Sequence, residues 1–280
     1  MSKYEIYKHL FRTTSIDEFT SFSTFNYFNR HYSLLNSALI LLQRPGATIV
    51  RSETSWNKRG RFVKLESSPI IILQPGGPVA PVYDYSDTYG QESFEEVTHE
   101  KLKQEYLSTD RTIFEEYSYR HFVSCAEQHG ILCNEKAFGD RLKGLTQILE
   151  VKQYIVPENN KKEAECIEAN HKITINSNSS CHEKCLTFFH ELAHLYCGHL
   201  SGARTKWNML PEYAEGLDHD IKEYEAELTC RIICDKFGFF YDNWDYLKQH
   251  LVDGKPPEIR MQAVFGAADK ITRILKLDKY

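Results

Sequence analysis

The chain lacks any uninterrupted run of apolar residues long enough to cross a membrane. A spanning helix needs about 18 to 20 such residues in succession, so no membrane span is expected. The first thirty or so residues mix polar and aromatic side chains and show no apolar segment of the kind found in secretory signals. The sequence therefore predicts a cytoplasmic protein with no membrane partner.

A large net charge is also lacking, since the formal net charge is −5. Without a strong excess of basic residues, the chain as a whole is not expected to bind polyanions through charge alone. Internal repeats and low-complexity tracts are absent from the sequence as well. A length of 280 residues with 41% apolar content predicts a globular protein of one large or two modest domains.

The eight cysteines are expected to be reduced, because glutathione keeps cytosolic thiols in that state. Two pairs, Cys181 with Cys185 and Cys230 with Cys234, have a spacing at which two thiolates can share a zinc ion. Neither pair supplies the four ligands of a structural zinc site by itself. Small packing residues are the better interpretation of both pairs.

The most specific motif is the pentapeptide His190-Glu191-Leu192-Ala193-His194, in an apolar, helix-compatible stretch. Residues four positions apart project from the same face of an α-helix, so His190 and His194 can bind one zinc ion while Glu191 reaches a water. A solvated helical turn is the alternative, because so short a motif also occurs by chance. The motif predicts zinc-assisted hydrolysis, with a peptide bond as the favoured substrate.

The residues around the motif favour the metal-binding interpretation. Lys172–Asn176 alternates like a half-buried strand, and Ser177–Ser180 is a turn with helix N-cap residues. Strand, turn and metal helix is the order of elements expected of a zincin, and Gly198 is expected to end the helix. The metzincin subclass is disfavoured, because Gly198 and His199 follow His194 at the wrong distances for its longer motif.

A catalytic zinc site usually has three protein ligands, so a third ligand is expected further along the chain. The stripe of the helical segment 221–234 that is expected to face inward consists of Ile221, Glu225, Leu228 and Ile232. A buried carboxylate must be paired or bound to metal, so Glu225 is predicted as the third ligand. The alternative is a salt bridge from Glu225 to a buried arginine or lysine.

The remaining acidic residues of this segment are predicted to be solvated. Glu223 and Glu227 are expected on the side of the helix that lies opposite Glu225. The competing third ligands precede the helix, in a loop whose geometry the sequence does not define: Asp218, His219 and Asp220.

In the predicted mechanism, Glu191 accepts a proton from the zinc-bound water and later passes it to the leaving amine. Zinc lowers the pKa of that water and polarises the scissile carbonyl group. Four side chains could stabilise the oxyanion, although the sequence singles out none of them: His199, Tyr213, His219 and Tyr224.

Three motifs between residues 165 and 240 carry a family resemblance. They are His190–His194, the tripeptide Glu225-Ala226-Glu227 about thirty residues later, and Cys234-Asp-Lys-Phe-Gly238. Together they resemble the ImmA/IrrE-type zinc metallopeptidases, in which the glutamate before the alanine is the third ligand. The resemblance implies a zincin that cleaves a protein regulator, such as a repressor or antitoxin, in a stress, mobile-element or phage-defence setting.

A second series of motifs lies in the amino-terminal part of the chain: Leu42–Thr48, Trp56, Gly60–Lys64, Pro69–Leu73, Pro75 and Val82–Gly90. It is similar to the amino-terminal domain of ArdC-type antirestriction proteins, which binds single-stranded DNA and precedes a zincin domain. One position departs from that pattern, since Leu65 stands where the family has the glycine of a Lys-Gly-Glu turn. The resemblance implies a rival function, that of an antirestriction protein that binds single-stranded DNA or blocks a restriction enzyme and in which the zinc site is structural.

A cluster of basic and aromatic residues marks the candidate DNA-binding surface: Lys58, Arg59, Arg61 and Lys64 beside Trp56 and Phe62. Basic side chains that follow the backbone and aromatic rings that stack on bases are typical of single-strand binding. An exposed hairpin with a solvated, charged tip is the alternative. A degenerate zincin that serves as a docking surface is the third hypothesis for the whole chain.

The order of the predicted elements indicates an α+β fold. Helices are expected over residues 17–43, and an antiparallel sheet over 48–85 with turns at Pro75–Pro78 and Pro81. The long, charged stretch 92–128 is expected to be helical and to lead towards the second unit. A further helix is expected from Asp140, followed by short strands near 152–156, 166–168 and 172–176.

Three regions follow from this order. Residues 1–95 are predicted to form the ArdC-like amino-terminal domain, and residues 96–139 a helical connector. Residues 140–280 are predicted to form a zincin metallopeptidase domain.

Overall fold

In the computed structural model, the chain divides into two compact units, residues 1–110 and 111–280. The structure describes residues 16–74, 77–90, 97–139, 142–155, 167–200, 213–250 and 257–277. Both units combine helices with small sheets, which confirms the α+β prediction. Within these described ranges, no helix is long and apolar enough to cross a membrane.

The first unit is built from short helices and short strands. In chain order they are α1 (Ile16–Phe28), α2 (Leu34–Gln43), β1 (Val50–Arg51), α3 (Glu53–Asn57), β2 (Arg61–Val63), β3 (Ile70–Leu73), β4 (Val79–Asp84), β5 (Thr88–Gly90) and α4 (His99–Ser108). The strands form an antiparallel sheet in the order β1-β4-β3 and a separate antiparallel ribbon of β2 with β5. Alternate residues of the sheet, such as Ile70, Ile72 and Val82, pack with Phe25 and Ile40 of the helices to form the core.

The antiparallel sheet predicted over residues 48–85 is therefore confirmed, but one of its predicted turns is wrong. Pro81 lies inside β4, opposite Ile71 of β3. Proline is tolerated in strands where no neighbour requires its missing amide hydrogen. Strand β1 is so short that it pairs only with Tyr83 and Asp84, and it does not reach Pro81.

The charged stretch 92–128, predicted to be helical, contains two separate helices in its described part. The structure has α4 in the first unit and a separate helix, α5 (Glu116–Glu127), in the second. Between them, Thr112 forms a β-bridge with Phe239, and the ring of Phe114 is buried against Phe239. These contacts fix the intervening chain in a non-helical conformation, which a pattern of charged residues alone does not indicate.

The second unit holds one sheet and several helices. In chain order they are α5, β6 (Ile131–Lys136), β7 (Gly144–Ile155), β8 (Ile167–Asn176), α6 (Cys181–Tyr196), α7 (His219–Phe237), α8 (Trp244–Gln249) and α9 (Met261–Ile274). The strand order is β6-β8-β7, with β8 parallel to β6 and antiparallel to β7. Helix α6 packs against β7, β8, α5, α7 and α9 and so lies at the centre of this unit.

The strands of this sheet correct two predictions. The helix predicted from Asp140 is wrong, because Gly144–Ile155 forms a strand that pairs with β8 over most of its length. The short strands predicted near 166–168 and 172–176 are parts of the single strand β8. Cys166, which belonged to the first of them, lies outside the described residues. Pairing across the sheet decides both outcomes, and a single sequence shows this pairing only weakly.

The ends of α6 agree with the sequence prediction. Ser180 is the N-cap, and its side chain and that of Glu183 form a capping box in which each accepts a hydrogen bond from the other's backbone N–H. Gly198, just beyond the C-cap Cys197, has φ of +76°, a left-handed conformation that glycine adopts without steric cost. The capping box and the glycine define where α6 begins and ends, and thereby the position of its two histidines.

Candidate metal and hydrolytic site

The two histidines of the predicted motif lie side by side on α6. Their Nε2 atoms are 3.0 Å apart, and both rings are mostly buried. A carboxylate of α7 completes the group, since Glu223 lies 3.4 Å from His190 Nε2 through Oε2 and 3.4 Å from His194 Nε2 through Oε1. The structure therefore brings together two imidazoles and one carboxylate.

The separations of these three groups are those at which one metal ion could be shared. Ligand atoms that lie about 2.0–2.2 Å from a tetrahedral zinc ion are roughly 3.3 Å or slightly more from one another. The observed separations of 3.0 and 3.4 Å bracket that value. Two histidines and one glutamate are also a ligand set that catalytic zinc sites use, with a fourth position left for water.

The predicted third ligand, Glu225, does not lie with the histidines of the motif. Its carboxylate has no exposed surface, and it accepts hydrogen bonds from Arg260 N, Nε and Nη2 at 2.6, 3.1 and 2.6 Å. A further contact of 2.9 Å joins it to His199 Nε2. The structure thus shows the alternative stated for this residue, a salt bridge, although its partner Arg260 is only partly buried.

The burial of α7 explains why the sequence pattern favoured Glu225 over Glu223 as the third ligand. Glu223 and Glu227 were expected to be solvated, yet Glu227 is only 4% exposed and the Glu223 side chain 14%. The described helix is buried nearly all round, from Tyr224 to Phe237 with the exception of Arg231. A helix that is buried on nearly all sides has no clear division into an apolar and a polar side. The spacing of its apolar residues therefore cannot identify the side that faces a metal ion.

The loop residues predicted as competing ligands stay outside the group. Asp218 and His219 are exposed, and His219 Nδ1 approaches Glu223 Oε1 only to 3.7 Å. Asp220 forms an ion pair of 3.0 Å with His250. None of the three joins the histidines of the motif as a ligand in this structure.

A second glutamate of α7 orients His190. Glu227 Oε2 lies 2.9 Å from His190 Nδ1, and the Tyr241 hydroxyl donates a hydrogen bond to the other oxygen of Glu227. A carboxylate at Nδ1 directs the lone pair of Nε2 towards the site, as outer partners of zinc ligands generally do. The sequence analysis placed Glu227 on a solvated face and did not single out Tyr241.

Neighbouring charged groups shift the pKa values of His190 and Glu223. Burial alone would lower the pKa of His190, but hydrogen bonds to Glu223 and Glu227 outweigh it and raise that pKa to about 10. Burial alone would raise the pKa of Glu223, but hydrogen bonds from His190 and His194 hold it well below its usual range. These hydrogen bonds favour a positive charge at the group of His190, His194 and Glu223, which a bound metal ion would supply.

Glu191, the predicted general base, lies beside this group without belonging to it. Its Oε2 accepts a hydrogen bond of 2.6 Å from the hydroxyl of Thr146 on β7. Strand and helix can approach so closely because residue 144 is glycine. A Cβ at Gly144 would lie 2.5 Å from Thr187 Cγ2 and 3.0 Å from Glu191 Oε1. The sequence analysis did not identify Thr146 or Gly144.

These residues open onto one cleft with a volume of about 850 Å³. Its lining includes His190, Glu191, Glu223 and the apolar side chains of Leu145 and Leu186. Tyr246 of α8 also lines it and donates a hydrogen bond of 3.2 Å to Glu223 Oε2. Of the residues considered for the oxyanion, His199 and His219 line the cleft, whereas Tyr213 and Tyr224 do not.

The cysteine pairs do not form a zinc site in the described residues. Cys185, Cys230 and Cys234 are buried, and burial raises the pKa of the Cys185 and Cys230 thiols. Cys197 lies in a buried group with His199 and Glu225, but Arg260 neutralises that carboxylate. This placement agrees with packing roles for Cys185, Cys230 and Cys234, whereas Cys181 is only partly buried and its thiol donates a hydrogen bond to Glu116.

The proposed DNA-binding residues divide into buried and exposed side chains. Trp56 is buried, and its Nε1 donates to the carbonyl of Tyr83. Arg61 is buried as well, with hydrogen bonds to Thr88. Arg59 is exposed, and its guanidinium bonds to Ser55 one helical turn earlier.

Phe62, predicted as part of the DNA-binding cluster, lies in the structure beside a second exposed aromatic ring. Phe62 of β2 and Tyr89 of β5 face each other across the ribbon, with ring centroids 6.0 Å apart. They are 50% and 58% exposed. The Lys64 ammonium group, also predicted to contact DNA, donates to the Ser86 carbonyl. A cross-strand pair of this kind depends on strand register, which the sequence does not reveal.

Comparison with known proteins does not assign a family to the chain. No family model matches it, and no curated protein is similar to it. It is similar to a metal-free crystal structure of the antirestriction protein ArdC from the R388 plasmid, with 11% sequence identity over 89% of this chain and 84% of that chain. The TM-score is 0.37, which is too low for the likeness to carry an argument about function.

Proposed function

We propose that the second unit is a zinc-dependent hydrolase that cleaves peptide bonds in a protein substrate. The observation that carries the proposal is the arrangement of His190, His194 and Glu223 at separations suited to tetrahedral zinc, with Glu191 beside them in the same cleft. When bound, zinc would lower the pKa of a water molecule and polarise a carbonyl group.

The residues around the group have distinct roles in this proposal. Glu191 accepts the proton of the attacking water and donates it to the leaving amine, because it is a carboxylate in the cleft that is not needed as a ligand. The Thr146 hydroxyl holds Glu191 in place through a 2.6 Å hydrogen bond. Glu227 and Tyr246 orient His190 and Glu223 respectively.

The nature of the substrate follows partly from the cleft and partly from the family resemblance. Apolar side chains such as Leu145 and Leu186 line the cleft next to polar groups, which is suitable for a peptide segment with an apolar side chain. A repressor or antitoxin as the whole substrate rests on the resemblance to the ImmA/IrrE-type peptidases. The setting of stress, mobile elements or phage defence has the same basis.

Zinc binding provides the first test. The purified protein is expected to hold about one zinc ion per chain, and Glu223→Gln is expected to weaken zinc binding about 100-fold or more, beyond the effect typical of outer partners. The matched control is Glu215→Gln, which removes an exposed carboxylate outside the cleft. Chelator competition would measure the affinity for zinc. Cleavage of a mixed peptide library, followed before and after zinc is removed and restored, would measure the zinc-dependent activity.

Two outcomes would contradict the proposal. If Glu223→Gln bound zinc as tightly as the wild-type protein, Glu223 would not be a ligand. If the zinc-loaded protein cleaved no peptide, or cleaved peptides equally well after zinc was removed, the site would not be a zinc peptidase.

A second candidate function, single-stranded DNA binding by the first unit, is favoured by the exposed pair of Phe62 and Tyr89. Aromatic rings that face solvent offer stacking surfaces for bases, and the exposed Lys58 and Arg59 lie close to Phe62 in sequence. The role proposed for Trp56 and Arg61 is withdrawn, because both side chains are buried and bonded within the unit.

Substitution of the two rings tests this second function. Phe62→Ala and Tyr89→Ala are each expected to weaken binding of a fluorescent single-stranded oligonucleotide about tenfold, since each removes a stacking contact of about 1–3 kcal/mol. Leu65→Ala is the control, because Leu65 is fully exposed but offers no ring. Fluorescence anisotropy at low salt would provide the affinities. Absence of binding by the wild-type protein, or equal affinities for all variants, would eliminate the DNA-binding function of this surface.

A further inference from the structure

We infer that His199, Glu225 and Arg260 form a hydrogen-bonded chain that sets the tautomer of His194 and thereby aims its Nε2 lone pair at the metal position. The inference rests on the proposed zinc site. It assigns positioning roles to three residues that do not themselves contact the metal position. It also gives Glu225 a role other than that of a zinc ligand.

The chain consists of consecutive short contacts inside the second unit. His194 Nδ1 lies 2.9 Å from His199 Nδ1, and His199 Nε2 lies 2.9 Å from Glu225 Oε2. The Glu225 carboxylate is held in turn by the backbone amide and the guanidinium of Arg260. The side chains of His199 and Glu225 are almost completely excluded from solvent.

The positions of the protons along this hydrogen-bonded chain follow from the permanent positive charge of Arg260. Arginine keeps its proton, so Glu225 beside it is a carboxylate and can only accept hydrogen bonds. His199 Nε2 must therefore carry the proton that it donates to Glu225. His199 is itself buried, and the Glu225 carboxylate beside it is already paired with Arg260, so the ring is neutral and its Nδ1 carries a lone pair that can only accept a hydrogen bond.

His194 is thereby left with one possible tautomer. Its Nδ1 must donate to His199 Nδ1, because two lone pairs at 2.9 Å would repel each other. Its Nε2 then carries a lone pair, and this is the atom that faces His190 and Glu223. The tautomer that binds a cation through Nε2 is thus set before any metal arrives.

Nε2 of His190 is directed at the metal position in the same way, but through one partner of its Nδ1 atom instead of a chain of three residues. There, Glu227 Oε2 contacts Nδ1 directly at 2.9 Å, and no second histidine intervenes. The two motif histidines thus both have Nδ1 engaged and Nε2 directed at the same position. This agreement between two unrelated sets of partners supports a positioning role for His199 over simple packing.

Zinc affinity and histidine NMR on the full-length protein test the inference. His199→Phe keeps a planar ring but removes the acceptor, and it is expected to weaken zinc binding 10- to 100-fold, the usual effect of losing an outer partner of a ligand. His199→Asn places a carbonyl oxygen near the position of Nδ1 and is expected to recover part of that loss. His182→Phe is the matched control on α6, since His182 contacts Phe114 and Phe240 away from the cleft.

The tautomer itself can be observed in the metal-free protein through the nitrogen chemical shifts of the histidine rings. In the wild-type protein, His194 is expected to carry its proton on Nδ1, and in His199→Phe this signature is expected to be lost. Circular dichroism and thermal unfolding of the metal-free variants would establish that they are folded. A variant that failed to fold would be replaced by His199→Asn for both measurements.

The inference is overturned if His199→Phe is folded and binds zinc as tightly as the wild-type protein, or if His194 in the wild-type protein carries its proton on Nε2. Failure of the proposed function gives a different pattern. A protein that binds zinc but cleaves no peptide would leave the inference intact. A wild-type protein that binds no zinc would contradict both the proposed site and its positioning by His199.

Discussion

Replacing Glu191 with glutamine is expected to lower the rate of peptide hydrolysis about a hundredfold or more while zinc remains bound. A positioned general base contributes about 10²- to 10⁴-fold, and glutamine cannot accept the proton of the attacking water. The side chain keeps its size, and its amide can still form a hydrogen bond with the Thr146 hydroxyl, which lies 2.6 Å from the present carboxylate. The fold and the zinc content are therefore expected to persist.

The measurement compares single-turnover cleavage by the wild-type protein and the Glu191→Gln variant at equal zinc occupancy. Glu215→Gln serves as the control for loss of one negative charge at an exposed position. Expression of both forms in the native host, followed by mass spectrometry of protein termini, would reveal the substrate as fragments that are absent with the variant. Equal cleavage by wild type and variant would mean that Glu191 is not the base.

Replacing Arg260 with methionine is expected to destabilise the second unit by about 3–5 kcal/mol, the usual cost of removing one partner of a buried ion pair. The Glu225 carboxylate would remain without exposed surface but would lose the guanidinium that now contributes two hydrogen bonds. Urea unfolding of the metal-free protein would measure the change. Arg273→Met on α9, the helix that follows Arg260, is the control, because Arg273 is exposed and the change is expected to alter the free energy of unfolding by less than about 0.5 kcal/mol.

A double variant separates the ion pair from general damage to α9. If the loss arises from an uncompensated charge, Arg260→Met combined with Glu225→Gln is expected to be more stable than Arg260→Met alone. A double variant that is less stable than either single variant would show that packing of the arginine stem, rather than charge, accounts for the loss.

The sequence predicted the centre of the candidate site because that part is local. The histidines and Glu191 follow from one helical turn, and the ends of that helix follow from Ser180 and Gly198. Short-range signals of this kind depend on few neighbours. Their placement in the structure agrees with the prediction, whereas zinc and hydrolysis stay predictions.

The parts that the sequence did not predict depend on contacts between distant segments. The choice between Glu223 and Glu225 depends on the partner that each side of α7 meets, and on one side that partner is Arg260, 35 residues further along the chain. Strand β7 was mistaken for a helix because its pairing with β8 decides its conformation. Phe62 and Tyr89 meet only through the register of β2 and β5.

The alternation of three carboxylates along α7 has a consequence for the mobility of the helix. Glu223 and Glu227 lie one turn apart and meet the two histidines of α6, whereas Glu225, between them, meets the amino-terminal end of α9. A rotation of α7 by one residue, about 100°, would separate all three carboxylates from these partners, which is unfavourable because each of them is largely buried. Sliding or rolling of α7 is thereby opposed, in the way that a single buried polar pair fixes the register of a coiled coil. We therefore expect thermal motions of this unit to separate neighbouring helices rather than to slide α7 along them.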